Sequence, residues 1–364
     1  MMKDWLRKHP QVRTIRVAAA DLNGQARGKR VPTRFADKVE NDGTRFPMSV
    51  LNLDIWGEDI DDSGKTLQVP PSPRSGKRRK AAEILSIRAL DAFDSFFTDL
   101  YDACEEMDIP ADTAISESGL GQFEINLMHQ DDALRAADDA WFFKMLVKGL
   151  ARRHGFAASF MAKPYPEYSG NGLHTHFSVI DKDGRNVFSN GGPEGSELLM
   201  NAIAGCLWAM NDSTLLFAPH SNSYERLIPE AHAPNAVCWA YENRTSAIRV
   251  PSGSPAARRI EHRTAGGDVN PYLMLAGILG SALIGIEEKM VPPPPITGNA
   301  YALDLPLIPD TWEEAITVFE KSEKMARIFS KELITNLVMT KRQELHYMGE
   351  LTPQEQTEIY LDTV

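Results

Sequence analysis

Two histidines, His174 and His176, stand two residues apart in "SGNGLHTHFSV", residues 169–179. At that spacing on a strand, both side chains share one face. Three small residues, Ser169, Gly170 and Gly172, lead into them. The carboxylates that could work with an imidazole are Glu117 and Glu124 in "ISESGLGQFEINL" and Glu261 in "RIEHR". Carboxylates with one imidazole suit Mg2+ or Mn2+, the hard cations that travel with nucleotide phosphates. Zinc fits less well, because Cys104, Cys206 and Cys238 are scattered and form no CxxC. Taken singly, each of these residues has an ordinary reading: a glutamate in a surface salt bridge, a histidine in the core.

Five arginines form the second set. Arg226, Arg244, Arg249, Arg259 and Arg263 fall on apolar, strand-like stretches, two of them in "ENRTSAIRV" and two flanking Glu261. A guanidinium holds a carboxylate or phosphate through its planar fork. Several such arginines in an acidic protein suggest a pocket for a polyanion, although any one of them fits a structural ion pair. The sequence has no GxxxxGK[ST], no GxGxxG after a strand, no GxSxG and no kinase signature. A nucleotide bound here is held by another scheme.

Several elements must position these residues. Residues 12–20 read as a strand, followed by a polar turn and a second strand in "DLNGQARGKRVP". Residues 59–80 are a loop by composition. A helix is expected over 89–107 from the stripe Leu90, Phe93, Phe97, Leu100, Tyr101 and Cys104. Another is expected over 131–155, opening on Asp131 and Asp132 and closing on Arg152, Arg153, His154 and Gly155. "GQFEINLMH", "AASFMAKPYP" and "HTHFSVID" read as strands, and "NAVCWAYENRTSAIRVP" and "ARRIEHRTAG" as a strand pair. Helices are expected over 196–212 and 271–289, with two more at the C-terminus. The mixed order indicates an α+β fold rather than a doubly wound parallel sheet.

The chain has 364 residues, 43% of them hydrophobic, enough for two domains or one large one. Its formal net charge of −11 argues against nucleic-acid binding, which needs a basic field. The longest apolar run, residues 271–286, is short for a membrane span and is bounded by Asp268 and by Glu287 and Glu288. The first twelve residues contain no apolar signal core, and the cysteines read as reduced thiols, so a cytoplasmic protein is expected.

The chain resembles the glutamine synthetase superfamily. The resemblance rests on "ESGLGQFEINL", "FMAKPYPEYSGNGLHTHFSV", "NSYERLIP", "ENRTSAIRVP" and "RRIEHRTAGGDVNPYLMLAGIL", in the family's order, with "DLNGQARGKRVP" before them. It implies a small N-terminal β-grasp domain, residues 1–60 and incomplete. A large catalytic domain follows, residues 61–364, with a curved antiparallel sheet flanked by helices. It also implies an ATP-dependent ligase that phosphorylates the side-chain carboxylate of glutamate and passes the acyl group to an amine. Two or three Mg2+ or Mn2+ ions per site are implied, held by Glu117, Glu124, His174 and Glu261. Gly170, Arg226 and Arg263 are implied for glutamate. His176, Ser178, Arg249 and Arg259 are implied for ATP. Arg244, with Arg226 and Arg263, is implied in phosphoryl transfer. Tyr301, in "GNAYALDLP", falls near a tyrosine that some relatives adenylylate, although a structural role is the simpler expectation. The family also implies a homo-oligomer, a dodecamer of two stacked hexameric rings.

The chain departs from the family pattern in two places. Enzymes of the family that use ammonia carry a flap glutamate and an N-terminal "DGSS"-like aspartate. Here the flap reads "ERLIPEAHAP", with His232 at the glutamate's position, and the other stretch reads "RFPMSVLNLD". The loss of both anionic anchors suits an alkylamine, and the subset resembled is the γ-glutamylpolyamine synthetases, with putrescine as the example. His232 and Asp54, the latter or an acidic neighbour such as Glu58, are candidates for the amine site. The alternatives are glutamine synthetase, γ-glutamylmethylamide synthetase or an inactive relative. The second departure is the E-x-E strand, which in the family gives one glutamate to each metal. "LNLDIWGEDI" runs directly into "DDSGKTLQVPP" with no E-x-E. Either this stretch has been deleted, or residues are missing from the sequence as written, which is the preferred expectation.

Overall fold

The structure, a computed structural model, describes residues 2–20, 26–47, 84–119, 121–228 and 233–364. The chain divides into two compact units, Met1–Ala158 and Ser159–Val364.

The first unit holds an antiparallel sheet of β1 (Thr14–Ala20), β2 (Ala26–Pro32), β3 (Ala111–Ser116) and β4 (Phe123–Leu127), in that order. β1 and β2 pair from Thr14↔Pro32 to Ala20↔Ala26. Arg30 on β2 is buried, and its charge is met by Asp94 at 2.9 Å and by the hydroxyls of Thr14 and Thr98. The helix expected over 89–107 is two helices, Ile87–Asp91 and Asp94–Glu106, and the second buries Phe97, Leu100, Tyr101 and Cys104 on one stripe. The long helix runs Ala133–Arg153. Asp132 caps it by accepting from Leu134 N at 2.8 Å. That cap satisfies a backbone donor the first turn leaves orphaned.

The second unit holds β5 (Thr175–Phe177), β6 (Trp239–Tyr241), β7 (Ile248–Val250) and β8 (Ile260–His262), in the order β5-β8-β7-β6. The pairs β5/β8 and β7/β8 are antiparallel, and β6/β7 is parallel. The β6–β7 link, residues 242–247, turns at Glu242 with φ 51 and closes on Asn243, which accepts from Thr245 N at 2.9 Å. One face of the sheet buries Trp239, Ile248, Val250 and Ile260 against the helices Glu197–Met210 and Pro271–Glu287. Each fully buried side chain of this size contributes roughly 1.5–3 kcal/mol. The two helices cross at Gly205 and Gly285, where a Cβ on Gly205 would lie 2.1 Å from Ser281 O.

Two expectations are corrected here. "AASFMAKPYP" is not a strand. Its backbone at Lys163 is held by a side chain instead, with Lys163 N donating to Asn222 Oδ1 and Asn222 Nδ2 donating to Lys163 O. The C-terminus holds three helices rather than two: Trp312–Lys321, Lys331–Gly349 and Pro353–Thr363. Thr352 separates the last two by a capping box with Glu355. No helix among the described residues is long and apolar enough to cross a membrane.

Candidate active site

The face of the second sheet opposite its core is polar because the strands alternate. On β8, Ile260 and His262 point into the core and Glu261 points away; on β7, Ile248 and Val250 flank Arg249 in the same way. Thr175 is buried, with its hydroxyl 3.6 Å from Met274 Sδ, so His174 and His176 fall on the polar face. Register sets these residues side by side, since Glu261 pairs with His176 on one flank and with Arg249 on the other.

Glu261 is the hub. Its side chain is 3% exposed. Oε2 accepts from Arg249 Nη1 at 2.7 Å, and Oε1 accepts from Arg263 Nη1. His174 Nδ1 lies 3.4 Å and His176 Nε2 3.9 Å from Oε1. Burial pushes this carboxyl up, but Arg263, His176, Arg249 and His174 outweigh it and hold it down to about 2. One edge of each imidazole meets solvent, with side-chain exposures of 32% and 41%. The crowded remainder of each ring still decides its protonation. Burial, with Arg263 adding to it, holds His174 well below 6.5, and burial brings His176 down to about 4 against the pull of Glu261. Near pH 7 the centre is therefore one carboxylate and two neutral imidazoles, ringed by guanidinium groups.

Arg226 ends the short helix Ser221–Arg226 and is 3% exposed. It donates to Thr264 O at 2.8 Å and to Arg263 O at 3.5 Å. Burial brings it down to about 10, so it stays charged at neutral pH. The glycine approach leaves room for it: a Cβ on Gly170 would lie 3.0 Å from Arg226 Cγ and 2.4 Å from Ala162 O. A Cβ on Gly172 would lie 3.0 Å from Arg226 Nη2 and 3.4 Å from His174 Nε2. Gly172 thus lies directly against both the guanidinium and the imidazole.

Arg259 donates through Nε to His176 Nδ1 at 3.0 Å. Arg244 is exposed on the β6–β7 link, and its charge acts on Arg263. Ser178 lies one residue past β5 and is exposed. Glu117 and Glu124 belong to the Met1–Ala158 unit, where Glu117 N donates to Gln122 O and Glu124 pairs with Ile115. That register puts the two glutamates on one face of the β3/β4 hairpin. Asp54 and His232 lie outside the described residues.

Two elements of this site were not anticipated from the sequence. Glu242 accepts from Arg249 Nη2 at 3.1 Å, a second carboxylate on that arginine. Asp268 is buried, and its Oδ2 accepts from Ser223 Oγ at 2.5 Å and lies 3.1 Å from His220 Nδ1. It thereby ties the start of the Arg226 helix to the "AGGD" turn. An acidic residue directly after the paired glycines Gly266 and Gly267 was the available signal.

Among the described residues, no three His, Cys, Asp or Glu side chains stand together in position to hold a metal ion by themselves. The donor chemistry nevertheless fits a divalent cation, because Glu261 is ionised and His174, as a neutral imidazole, has a lone pair to offer, while that of His176 is taken by Arg259. Mg2+ commonly takes one or two carboxylates and completes its shell with water and substrate phosphates.

The glutamine synthetase catalytic-domain family matches residues 52–360. The chain belongs to that family. Gamma-glutamylputrescine synthetase of Escherichia coli is 29% identical over 98% of this chain and 93% of its own length. Glutamate–isopropylamine ligase of a Pseudomonas species is 30% identical over 100% and 98%. Gamma-glutamylethanolamide synthetase of Streptomyces coelicolor is 40% identical over 65% of this chain and 50% of its own length. The fold is also that of GmaS in its apo form, at TM-score 0.68 and 24% identity over 98% of each chain. The putrescine-enzyme alignment spans 441 positions against 364 residues here, so that relative carries positions with no counterpart in this chain.

Proposed function

We propose that this glutamine synthetase family member joins the γ-carboxylate of glutamate to an alkylamine or polyamine, such as putrescine, at the expense of ATP. The observation that carries this reading is the single polar sheet face on which Glu261, His174, His176, Arg249, Arg259 and Arg263 converge, with Arg226 beside Gly170 and Gly172. In the first step a γ-carboxylate oxygen of glutamate attacks the γ-phosphorus of ATP, the bond to ADP breaks, and γ-glutamyl phosphate forms. In the second step the amine nitrogen attacks the acyl carbon, the C–O bond breaks, phosphate leaves and the nitrogen gives up a proton.

The arginines supply what phosphoryl transfer requires, fixed positive charge where negative charge accumulates. Arg226 and Arg263 hold glutamate, with Gly170 leaving room for its backbone. Arg249, Arg259, His176 and Ser178 face the nucleotide, and Arg244 meets the transferred phosphoryl group. His174 and Glu261, with Glu117 and Glu124, would hold the Mg2+ or Mn2+ ions, two or three per site. When bound, these ions neutralise phosphate charge. Asp54 and His232 remain the candidates for the amine site. We assign residues 1–60 to the β-grasp domain and 61–364 to the catalytic domain. The protein works in the cytoplasm as a homo-oligomer, a dodecamer of two stacked hexameric rings.

The test compares glutamate- and ATP-dependent phosphate release with putrescine, methylamine, ethanolamine and ammonium. The proposal expects an alkylamine or polyamine to act at lower concentration than ammonium. Ammonium as the best substrate would make the protein a glutamine synthetase. A second reading, an inactive relative, is favoured by the missing E-x-E motif and by the positions absent from this chain. Metal-dependent turnover with any of the four amines would exclude it.

A further inference from the structure

Tyr301 sits in the helical turn Ala300–Ala302, and that turn is fixed at several points. Asn299 Oδ1 accepts from Tyr301 N at 3.0 Å, and Thr245 Oγ1 accepts from Ala300 N at 2.9 Å. Asn243 Nδ2 donates to Gly298 O at 2.7 Å. Asn243 and Thr245 bracket Arg244, so the tyrosine turn and the arginine loop are one construction. Held in this way, the Tyr301 hydroxyl is buried and has no hydrogen-bond partner.

A buried hydroxyl normally finds a partner, because leaving the bond unmade forfeits its desolvation. Burial pushes Tyr301 up to about 12 while Arg263 and Arg226 pull the other way, so the hydroxyl keeps its proton and is a donor. Arg263 Nε is a second buried donor without an acceptor. Orphaned donors in the field of two guanidinium groups lack one thing in common, an anionic oxygen.

The geometry points to the Tyr301 hydroxyl as a direct substrate contact, donating a hydrogen bond to a carboxylate oxygen of the glutamate held by Arg226 and Arg263. This assignment rests on the ligase reading of the site. It makes Tyr301 a binding residue in its own right, and it gives Asn243 and Thr245 the task of positioning it.

Tyr301→Phe removes only the oxygen. Without substrate the variant melts at the same temperature as the parent or higher, because the hydroxyl it loses has no partner in the free protein. Its KM for glutamate rises roughly tenfold to a hundredfold, the usual cost of a hydrogen bond to a charged group, while its KM for ATP stays within about twofold. A lower melting temperature without substrate overturns the proposal, because the hydroxyl would then have a structural partner. An unchanged KM for glutamate, beside a raised KM in Arg226→Lys, overturns the tyrosine contact alone. An unchanged KM in both variants overturns the glutamate assignment of the arginines, and the tyrosine contact with it.

Discussion

Replacing Gly170 with alanine should displace Arg226 without disturbing the fold's core. Gly170 carries no positive φ, so the added methyl acts through space alone. That methyl would lie 2.4 Å from Ala162 O and 3.0 Å from Arg226 Cγ. An ordinary carbon–oxygen contact is about 3.4 Å, so something must retreat by about 1 Å. Ala162 O has little freedom, because it accepts from Asn171 N at 2.8 Å and the next residue is held on both backbone groups by Asn222. Residue 170 must therefore move away from Ala162 O, and the Arg226 side chain packed against it is displaced in turn. A displacement of about 1 Å in a positioning group costs on the order of a hundredfold in rate, about 2.7 kcal/mol of transition-state stabilisation. The assay is steady-state phosphate release with glutamate varied at saturating ATP, together with a thermal melt. We expect kcat/KM for glutamate to fall by about a hundredfold, with KM for ATP within about twofold. A value for glutamate within about threefold of the parent's, in a protein that melts normally, would refute the steric reasoning.

Two further predictions concern stability. Burial pushes the Asp268 carboxyl up, but His220 and Ser223 outweigh it and hold it below its ordinary 3.8. Its contribution is therefore complete above about 3.8 and is lost as pH falls through the lower folded value. Asp268→Asn should cost about 1–3 kcal/mol at pH 7, and urea melts should show that gap narrowing below about pH 4; a gap independent of pH would contradict the assignment. Gly205→Ala places a methyl 2.1 Å from Ser281 O and 2.9 Å from the Gly285 backbone, where the helices Glu197–Met210 and Pro271–Glu287 cross. It should destabilise the protein by about 1–3 kcal/mol, and an unchanged unfolding midpoint would show that the crossing can spread without loss.

Much of the polar face was legible in the sequence because strands alternate. "HTHFSV", "AIRV" and "RIEHR" each alternate a charged or imidazole side chain with Thr175, Ile248, Val250, Ile260 or His262, and the folded strands bury that second set. The partners of those residues were not legible. Which carboxylate meets Arg249 depends on register between β7 and β8, and Glu242 reaches it only because the link turns at its own positive φ. "AASFMAKPYP" misled because Met161, Ala162 and Lys163 are buried in succession and a distant amide, Asn222, replaces the strand ladder. The third C-terminal helix was signalled, since Thr352, Pro353 and Glu355 form an N-terminal capping pattern. The unpartnered hydroxyl of Tyr301 was not legible either, since no sequence displays a missing hydrogen bond.

The account's central claim is that glutamate's own carboxylate oxygen takes the phosphoryl group from ATP. Glutamate labelled with heavy oxygen in its γ-carboxylate tests this most directly, with the released phosphate analysed by mass spectrometry after turnover with putrescine. The account predicts that each phosphate carries one labelled oxygen, that its formation needs ATP, and that γ-glutamylputrescine appears in equal amount. Phosphate released without label, or labelled glutamate left unconsumed while ATP is hydrolysed, would contradict it.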